Sequence, residues 1–210
     1  MLNILSFFSL MEDAPYSIVK VPETFPSLSR GEDVDIFCYS TDKFVRDLLS
    51  WGNRYVEEGY RISVREVYGK SQVHVDFMKG ATLEVRFDLY EELPSYRKLE
   101  IRPALFESII ENSRFLAFDD GTVSANVRVP SEIDEMLVRY LEFIEWYDVR
   151  PDKIRHLDYI LRAGDDVAQR RLVEKLHHYT KIPPVRAPEI KNGRTLVGSV
   201  RGLWERFFRR

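Results

Sequence analysis

The feature that most constrains the fold is a run of alternating apolar and polar residues over residues 61–90, interrupted by two short turns that contain glycine. Successive side chains of a strand point to opposite faces of a sheet, so this alternation predicts strands with one apolar face and one polar face. The predicted strands are Arg61–Tyr68, Gln72–Met78 and Thr82–Tyr90. The pattern therefore predicts a three-stranded meander.

The polar face of this meander carries titratable side chains, which are His74, Asp76, Glu84, Arg86 and Asp88.

Before the meander, the sequence predicts a short helix over Leu2–Leu10, a strand over Val34–Tyr39 and a helix from Thr41, its N-cap, to about Glu58. After it, the pattern predicts a helix over Ala104–Glu111 and a hairpin of Phe115–Phe118 with Thr122–Arg128. This order of elements predicts an α+β fold, with a mixed sheet and helices mainly on one of its faces.

Helical periodicity replaces the strand pattern near Pro130. A helix capped by Ser131 is expected there, followed by helices over Asp152–Arg162 and Asp165–Thr180. We therefore predict an α+β domain over residues 1–129 and a small helical subdomain over residues 130–182. Residues 183–210 are expected to form a linker with prolines and a basic amphipathic tail.

Charge is distributed unevenly along the chain. The formal net charge is −3, and residues 151–210 carry 14 Lys+Arg against 7 Asp+Glu, which leaves −10 on residues 1–150. An acidic body suits a cation-dependent site and argues against nucleic acid as a partner. The basic end is compatible with an anionic partner, a membrane surface or contact with the body itself.

Two further observations bear on the cellular compartment. The single cysteine, Cys38, excludes an internal disulfide and a multi-cysteine metal site, so a reducing cytoplasm is expected. Residues 1–11 lack the basic start and the cleavage site of a signal peptide, and no apolar run reaches the length of a transmembrane segment. The predicted localisation is cytoplasmic.

Two aspartates stand at the start of the predicted strand that follows Gly31. Asp33 and Asp35 are two residues apart, so they lie on one strand face about 6–7 Å apart along the chain. Carboxylates that close repel each other unless a cation such as Mg²⁺ lies between them. The alternative is a solvated strand entrance, because Asp-x-Asp is frequent by chance.

Together with a later acid, these residues resemble a known family. Gly31-Glu32-Asp33-Val34-Asp35-Ile36-Phe37, then a helix, then a meander that ends in Leu83-Glu84-Val85-Arg86-Phe87-Asp88-Leu89, is similar to the polymerase-beta type nucleotidyltransferase superfamily. The narrower resemblance is to the nucleotidyltransferase-like proteins of surface-polysaccharide type. It covers about residues 15–165.

The resemblance implies Mg²⁺-dependent transfer of a nucleotidyl group from a nucleoside triphosphate to a small hydroxyl or phosphate acceptor, such as a sugar. It implies that Asp33, Asp35 and Asp88 are the catalytic residues and hold two Mg²⁺ ions, with Asp76 as the alternative third carboxylate. The residues expected to bind the nucleotide are Lys20, Ser29, Arg30, Gly31 and Arg86.

One part of the superfamily motif is missing. A Gly-Ser pair that binds the triphosphate at a helix N-terminus is replaced here by Lys20-Val21-Pro22-Glu23. The alternative function is therefore a catalytically inactive binding or regulatory module of the same fold. Arg86 likewise has a second interpretation, an ion pair with Glu84 or with a neighbouring strand, and His74 is interpreted as a solvated or hydrogen-bonded strand residue.

Overall fold

The computed structural model describes residues 2–181, which form two compact units. The first unit contains residues 2–94 and Pro103–Glu135, and the second contains Ser95–Arg102 and residues 136–181. The domain limits predicted above stay a prediction, and the predicted tail at residues 183–210 lies outside the described residues.

The elements of the first unit begin with α1 (Leu5–Phe8), β1 (Tyr16–Ile18), β2 (Glu32–Cys38) and α2 (Thr41–Gly52). They continue with β3 (Tyr60–Glu66), β4 (Gln72–Lys79) and β5 (Thr82–Tyr90). In the second unit, β6 (Glu100–Ile101) follows, and the chain then returns to the first unit with α3 (Ala104–Glu111), β7 (Arg114–Asp119) and β8 (Ser124–Val129). Helix α4 (Glu132–Trp146) leads into the second unit, which holds α5 (Ile154–Ala163), α6 (Asp166–Tyr179) and β9 (Thr180–Lys181).

Five strands of the first unit form a mixed sheet in the order β1-β2-β5-β4-β3. Strands β2 and β5 run parallel, and the other neighbours are antiparallel. The predicted α+β class and the predicted meander are confirmed. Because β5 lies between β2 and β4, the strand that carries Asp33 and Asp35 is the direct neighbour of the last strand of the meander.

The apolar face of the sheet is covered by α1, α2 and the β7–β8 hairpin, which share one hydrophobic core with it. Helix α2 packs closely on the strands at Gly52. A Cβ atom at that position would come within 2.6 Å of Ile62 and 2.7 Å of the Phe77 ring, so a larger residue would force the helix and the sheet apart. The opposite face of the same sheet carries the charged residues, and α3 packs on part of it through Phe106 and Phe37.

Two helix predictions require correction. Helix α2 ends at Gly52 and continues as a 3₁₀ turn over Asn53–Tyr55, short of Glu58. Its N-cap is Ser40, whose side chain accepts a hydrogen bond from Lys43 N, because Ser40 still has extended backbone angles. The predicted cap, Thr41, instead donates its backbone N–H and its hydroxyl to Glu91.

The first predicted helix, Leu2–Leu10, is also shorter than expected. It consists of α1 followed by a 3₁₀ turn over Ser9–Met11. The helices predicted after residue 150 correspond to α5, which follows a 3₁₀ turn over Pro151–Lys153, and to α6. Within residues 2–181, no helix is both long enough and apolar enough to cross a membrane.

Candidate metal centre

Three carboxylates meet where β2 runs beside β5. Asp35 is the register partner of Asp88, and Asp33 lies two residues earlier on the same strand face. One side-chain oxygen from each of the three residues lies within 4.8 Å of the other two. The side chains range from exposed at Asp33 to buried at Asp88. Parallel pairing of two strands that are distant along the chain therefore builds the cluster.

Burial changes the ionisation of Asp88. Loss of solvation, followed by the negative charges of Asp35 and Asp33, raises the pKa of its carboxyl to about 7, although the positive charge of Arg86 acts in the opposite direction. Asp88 is therefore partly protonated at neutral pH in the metal-free protein. A divalent cation among the three carboxylates would favour the ionised form.

His74 is the register partner of Asp88 on β4, and its Nδ1 lies 2.7 Å from Asp88 Oδ1. Both atoms are buried, and neither forms a hydrogen bond of normal geometry among the described residues. Burial lowers the pKa of His74, and the cations Arg86 and Arg65 lower it further, so the imidazole is neutral at neutral pH. The position beside Asp88 makes His74 part of the site, and its side chain is largely shielded from solvent.

Asp35 is held from two sides. The Tyr90 hydroxyl donates a hydrogen bond to Asp35 Oδ1 at 3.2 Å, and Gln72 Nε2 donates to that hydroxyl at 2.9 Å. On the other side, Lys20 Nζ lies 3.4 Å from Asp35 Oδ2. Lys20, which the resemblance assigns to the nucleotide, is thus adjacent to the carboxylate cluster.

Arg86 separates Asp76 from the cluster. Its Nε donates to Asp76 Oδ1 at 2.6 Å and its Nη2 to Asp76 Oδ2 at 3.1 Å. This two-point contact lowers the pKa of Asp76. Arg86 Nε is also 3.9 Å from Asp88 Oδ1. Of the two candidates for the third carboxylate, Asp88 is the one beside the aspartate pair of β2, and Arg86 makes the predicted ion pair with a neighbouring strand.

The loop before β2 contains the remaining residues expected to bind the nucleotide. Ser29 N donates to Glu32 Oε2 at 2.6 Å, and Gly31 N donates to the Glu84 carbonyl oxygen at 3.2 Å. Arg30 is largely exposed, and its Nε lies 3.2 Å from Glu84 Oε1. Gly31 has a φ of +79°, a conformation that favours glycine. Two backbone donors of this loop are therefore already used within the protein.

Tyr90 and Gln72 belong to the site although the sequence analysis did not identify them. The spacing of the sequence would have assigned Tyr90 to the site, because it lies two residues after Asp88 and therefore shares its strand face. No sequence feature identifies Gln72, because its contact with Tyr90 depends on the register of two strands. His74 was identified as a residue of the polar face, but its proximity to Asp88 also depends on that register.

The donor set fits a hard divalent cation. Clustered carboxylate oxygens are the ligands that Mg²⁺ and Mn²⁺ prefer in proteins. Asp88 Oδ1 is buried beside the neutral His74 ring without a hydrogen bond of normal geometry among residues 2–181, and a cation in the cluster would compensate the negative charge of this carboxylate. Both Mg²⁺ itself and the number of ions stay predictions.

A second group of charged side chains lies in the second unit, and Cys38 lies in the core of the first. In the second unit, Glu142 Oε2 is 2.8 Å from Lys153 Nζ and 3.1 Å from His156 Nε2. Such neighbours are typical of an ion-paired helix contact. Cys38 is buried in the hydrophobic core.

Comparison with known proteins leaves the family open. The nucleotidyltransferase resemblance therefore depends on the motif residues named above and stays a prediction. The sequence matches no protein-family model and no curated protein, and no solved structure matches the chain.

Proposed function

We propose that this protein transfers a nucleotidyl group from a nucleoside triphosphate to a small acceptor that bears a hydroxyl or a phosphate, such as a sugar, in a reaction that requires Mg²⁺. The observation that carries the proposal is the approach of Asp33, Asp35 and Asp88 oxygens to within 4.8 Å of one another. When bound there, Mg²⁺ supplies charge compensation for the phosphates and lowers the pKa of the acceptor hydroxyl.

The three carboxylates differ in exposure, and this difference suggests separate tasks. Asp33 is exposed, so a substrate can reach the cluster from solvent on that side. Asp88 is the most buried of the three. We assign Asp88 the additional task of accepting the proton of the acceptor hydroxyl, since a carboxylate beside the reacting oxygen serves as a general base.

Positive charge flanks the cluster on both sides. Lys20 Nζ is 3.4 Å from Asp35, and Arg86 Nε is 3.9 Å from Asp88. Phosphate oxygens of a nucleotide attract such groups strongly. Lys20 and Arg86 therefore support binding of the triphosphate next to the cation, in agreement with the roles expected from the resemblance.

The inactive binding module remains the second candidate, and the loop before β2 is the observation in its favour. In the superfamily, free backbone donors of a Gly-Ser pair bind the triphosphate. Here that pair is absent, and the loop residues Ser29 and Gly31 donate their backbone N–H groups to Glu32 and to the Glu84 carbonyl oxygen. A chain that lacks these donors for the triphosphate would keep the fold for binding or regulation and lack transfer.

Isothermal titration of the four common nucleoside triphosphates, with and without Mg²⁺, tests the metal requirement. We expect binding that needs Mg²⁺ and that Asp35→Ala weakens by at least about tenfold, because the variant loses a cation ligand. Asp47→Ala is the matched control, since Asp47 lies on α2 and pairs with Lys43. Binding that is independent of Mg²⁺ and unchanged in Asp35→Ala would contradict the proposal.

A pyrophosphate-release assay separates the two candidate functions. The protein is incubated with each triphosphate, Mg²⁺ and a panel of sugars and sugar phosphates. Release that depends on an acceptor and is lost in Asp35→Ala supports the transferase. Mg²⁺-dependent binding without release across the panel would favour the binding module.

A further inference from the structure

A chain of two hydrogen bonds reaches the metal-binding aspartate from the edge of the polar face. Gln72 Nε2 donates to the Tyr90 hydroxyl at 2.9 Å, and the Tyr90 hydroxyl donates to Asp35 Oδ1 at 3.2 Å. Gln72 and Tyr90 are register partners on β4 and β5, whereas Asp35 lies on β2. Three neighbouring strands therefore contribute to the orientation of one carboxylate.

The direction of this chain follows from the chemistry of its members. A phenol has a single hydrogen to donate, and the amide nitrogen of Gln72 can act only as a donor. Because the hydroxyl accepts from Gln72, its own hydrogen is available for Asp35. A phenol ordinarily titrates at about pH 10, so the hydroxyl retains this hydrogen at neutral pH. Gln72 thereby makes Tyr90 a donor toward Asp35.

The Tyr90 ring is itself held in place by packing. It makes an edge-to-face contact with Phe37, with ring centroids 5.9 Å apart. Phe37 is buried and contacts Phe106 of α3 on its other side, at 5.2 Å between centroids. The hydroxyl is therefore presented to Asp35 from a ring with restricted freedom.

The two oxygens of Asp35 consequently have different surroundings. Oδ1 accepts the hydrogen bond from Tyr90, and Oδ2 faces Lys20 Nζ at 3.4 Å. A carboxylate fixed at one oxygen cannot rotate freely, so the other oxygen keeps its direction. Hydrogen bonds of this kind orient metal ligands and raise metal affinity.

We propose that Tyr90 is a positioning residue that orients Asp35 as a cation ligand, and that Gln72 sets the direction of the Tyr90 hydroxyl. This inference rests on the proposed function, since it assumes that the carboxylate cluster binds a divalent cation. It adds two residues outside the cluster to the metal site. It also predicts that the loss of one hydroxyl, with every carboxylate intact, weakens metal binding.

Mn²⁺ titration, followed by electron paramagnetic resonance of the free ion, tests this inference on the full chain. Tyr90→Phe retains the ring and removes the hydroxyl, and we expect its Mn²⁺ affinity to fall by about tenfold, the lower end of the range for outer-shell partners. The matched control is Tyr16→Phe. Its hydroxyl accepts a hydrogen bond from Arg128 N at 3.2 Å, and its ring packs on Phe8 and Phe44 in the core on the opposite face of the sheet. The control is expected to bind Mn²⁺ like the wild type, and thermal melts show whether both variants fold.

Gln72→Ala tests the second part of the inference. It should weaken Mn²⁺ binding in the wild-type background and have no further effect in Tyr90→Phe, because it acts through the hydroxyl. Equal Mn²⁺ affinity of Tyr90→Phe and the wild type would overturn the inference and leave the proposed function intact. An equal loss in Tyr16→Phe would also overturn it, because the effect would then be general. Absence of Mn²⁺ binding by the wild type would overturn both this inference and the proposed function.

Discussion

Asp88 in the first unit and Glu145 in the second are both buried carboxylates, but their surroundings are opposite. Asp88 of the first unit is 7% exposed and has Asp35 and Asp33 as neighbours. Its Oδ1 lies 2.7 Å from Nδ1 of the neutral His74 ring without a hydrogen bond of normal geometry among the described residues. Glu145 of the second unit is 5% exposed, and its oxygens accept hydrogen bonds from Arg97 N and Lys98 N at 3.0 Å.

This difference separates a structural acid from a candidate site. Glu145 satisfies backbone donors of the segment Ser95–Arg102, so its burial costs little and stabilises the fold. Burial of Asp88 is unfavourable in the metal-free protein, because a charge is desolvated next to charges of the same sign. A group that destabilises the isolated fold in this way is typical of a binding site. Substitutions of Asp88, Glu145 and Asp76 test the comparison.

The largest expected effect is at Asp88. Its pKa of about 7 in the folded state lies above the ordinary 3.8, so ionisation destabilises the metal-free fold as the pH rises from 4 to 7. In chelator-treated protein at pH 8, Asp88→Asn should raise the free energy of unfolding by up to about 4 kcal/mol, and the difference should shrink toward pH 4. Urea denaturation of both proteins at several pH values measures this difference in the free energy of unfolding.

The same variant tests the link to metal. With saturating Mn²⁺ the wild type should gain stability, whereas Asp88→Asn should gain much less because it has lost a ligand. A variant that is less stable than the wild type at pH 8 without metal would show that Asp88 is structural, and the comparison with Glu145 would fail.

Glu145→Ala should lower the free energy of unfolding, whereas Asp88→Asn should raise it in the metal-free protein. Removal of the carboxylate leaves the Arg97 and Lys98 backbone donors without their acceptor, so we expect a loss of about 2–3 kcal/mol in the free energy of unfolding. Asp148→Ala is the control in the same unit, because Asp148 is exposed and its ion pair with Lys98 contributes less than about 1 kcal/mol. Equal effects of the two variants would contradict the structural role of Glu145.

The smallest effect is expected at Asp76, which has a cationic partner. Asp76→Asn weakens the two-point contact with Arg86 and should cost about 1 kcal/mol in the free energy of unfolding. Its Mn²⁺ affinity should change by less than about threefold, well below the change expected for a ligand or its hydrogen-bond partner. A loss as large as that of Asp88→Asn would place Asp76 among the metal ligands.

Much of the first unit was predictable from local pattern. The alternation over residues 61–90 identifies β3, β4 and β5 with small errors at their ends, and the helix α3 begins and ends where predicted. Period two also assigns Asp33, Asp35 and Asp88 to polar strand faces. These features depend on neighbouring residues in the sequence, and therefore a single sequence reveals them.

Helix boundaries were less predictable. Ser40 and Thr41 are both good capping residues, and the choice between them depends on Glu91, which accepts the N–H and the hydroxyl of Thr41. That acceptor is distant in the sequence. Helix α2 likewise changes to a 3₁₀ turn after Gly52, at a close contact with Ile62 and Phe77 that no local pattern contains.

By itself, the sequence determined the α+β class, the polar face and the acids on it, because the periodicity of a strand fixes the face on which each side chain lies. The tertiary structure alone decided that Asp35 pairs with Asp88, that Asp76 is held by Arg86, and that Tyr90 and His74 adjoin the cluster. Strand order and register are set by the packing of the whole sheet, and a shift of one residue would move every one of these side chains to the other face.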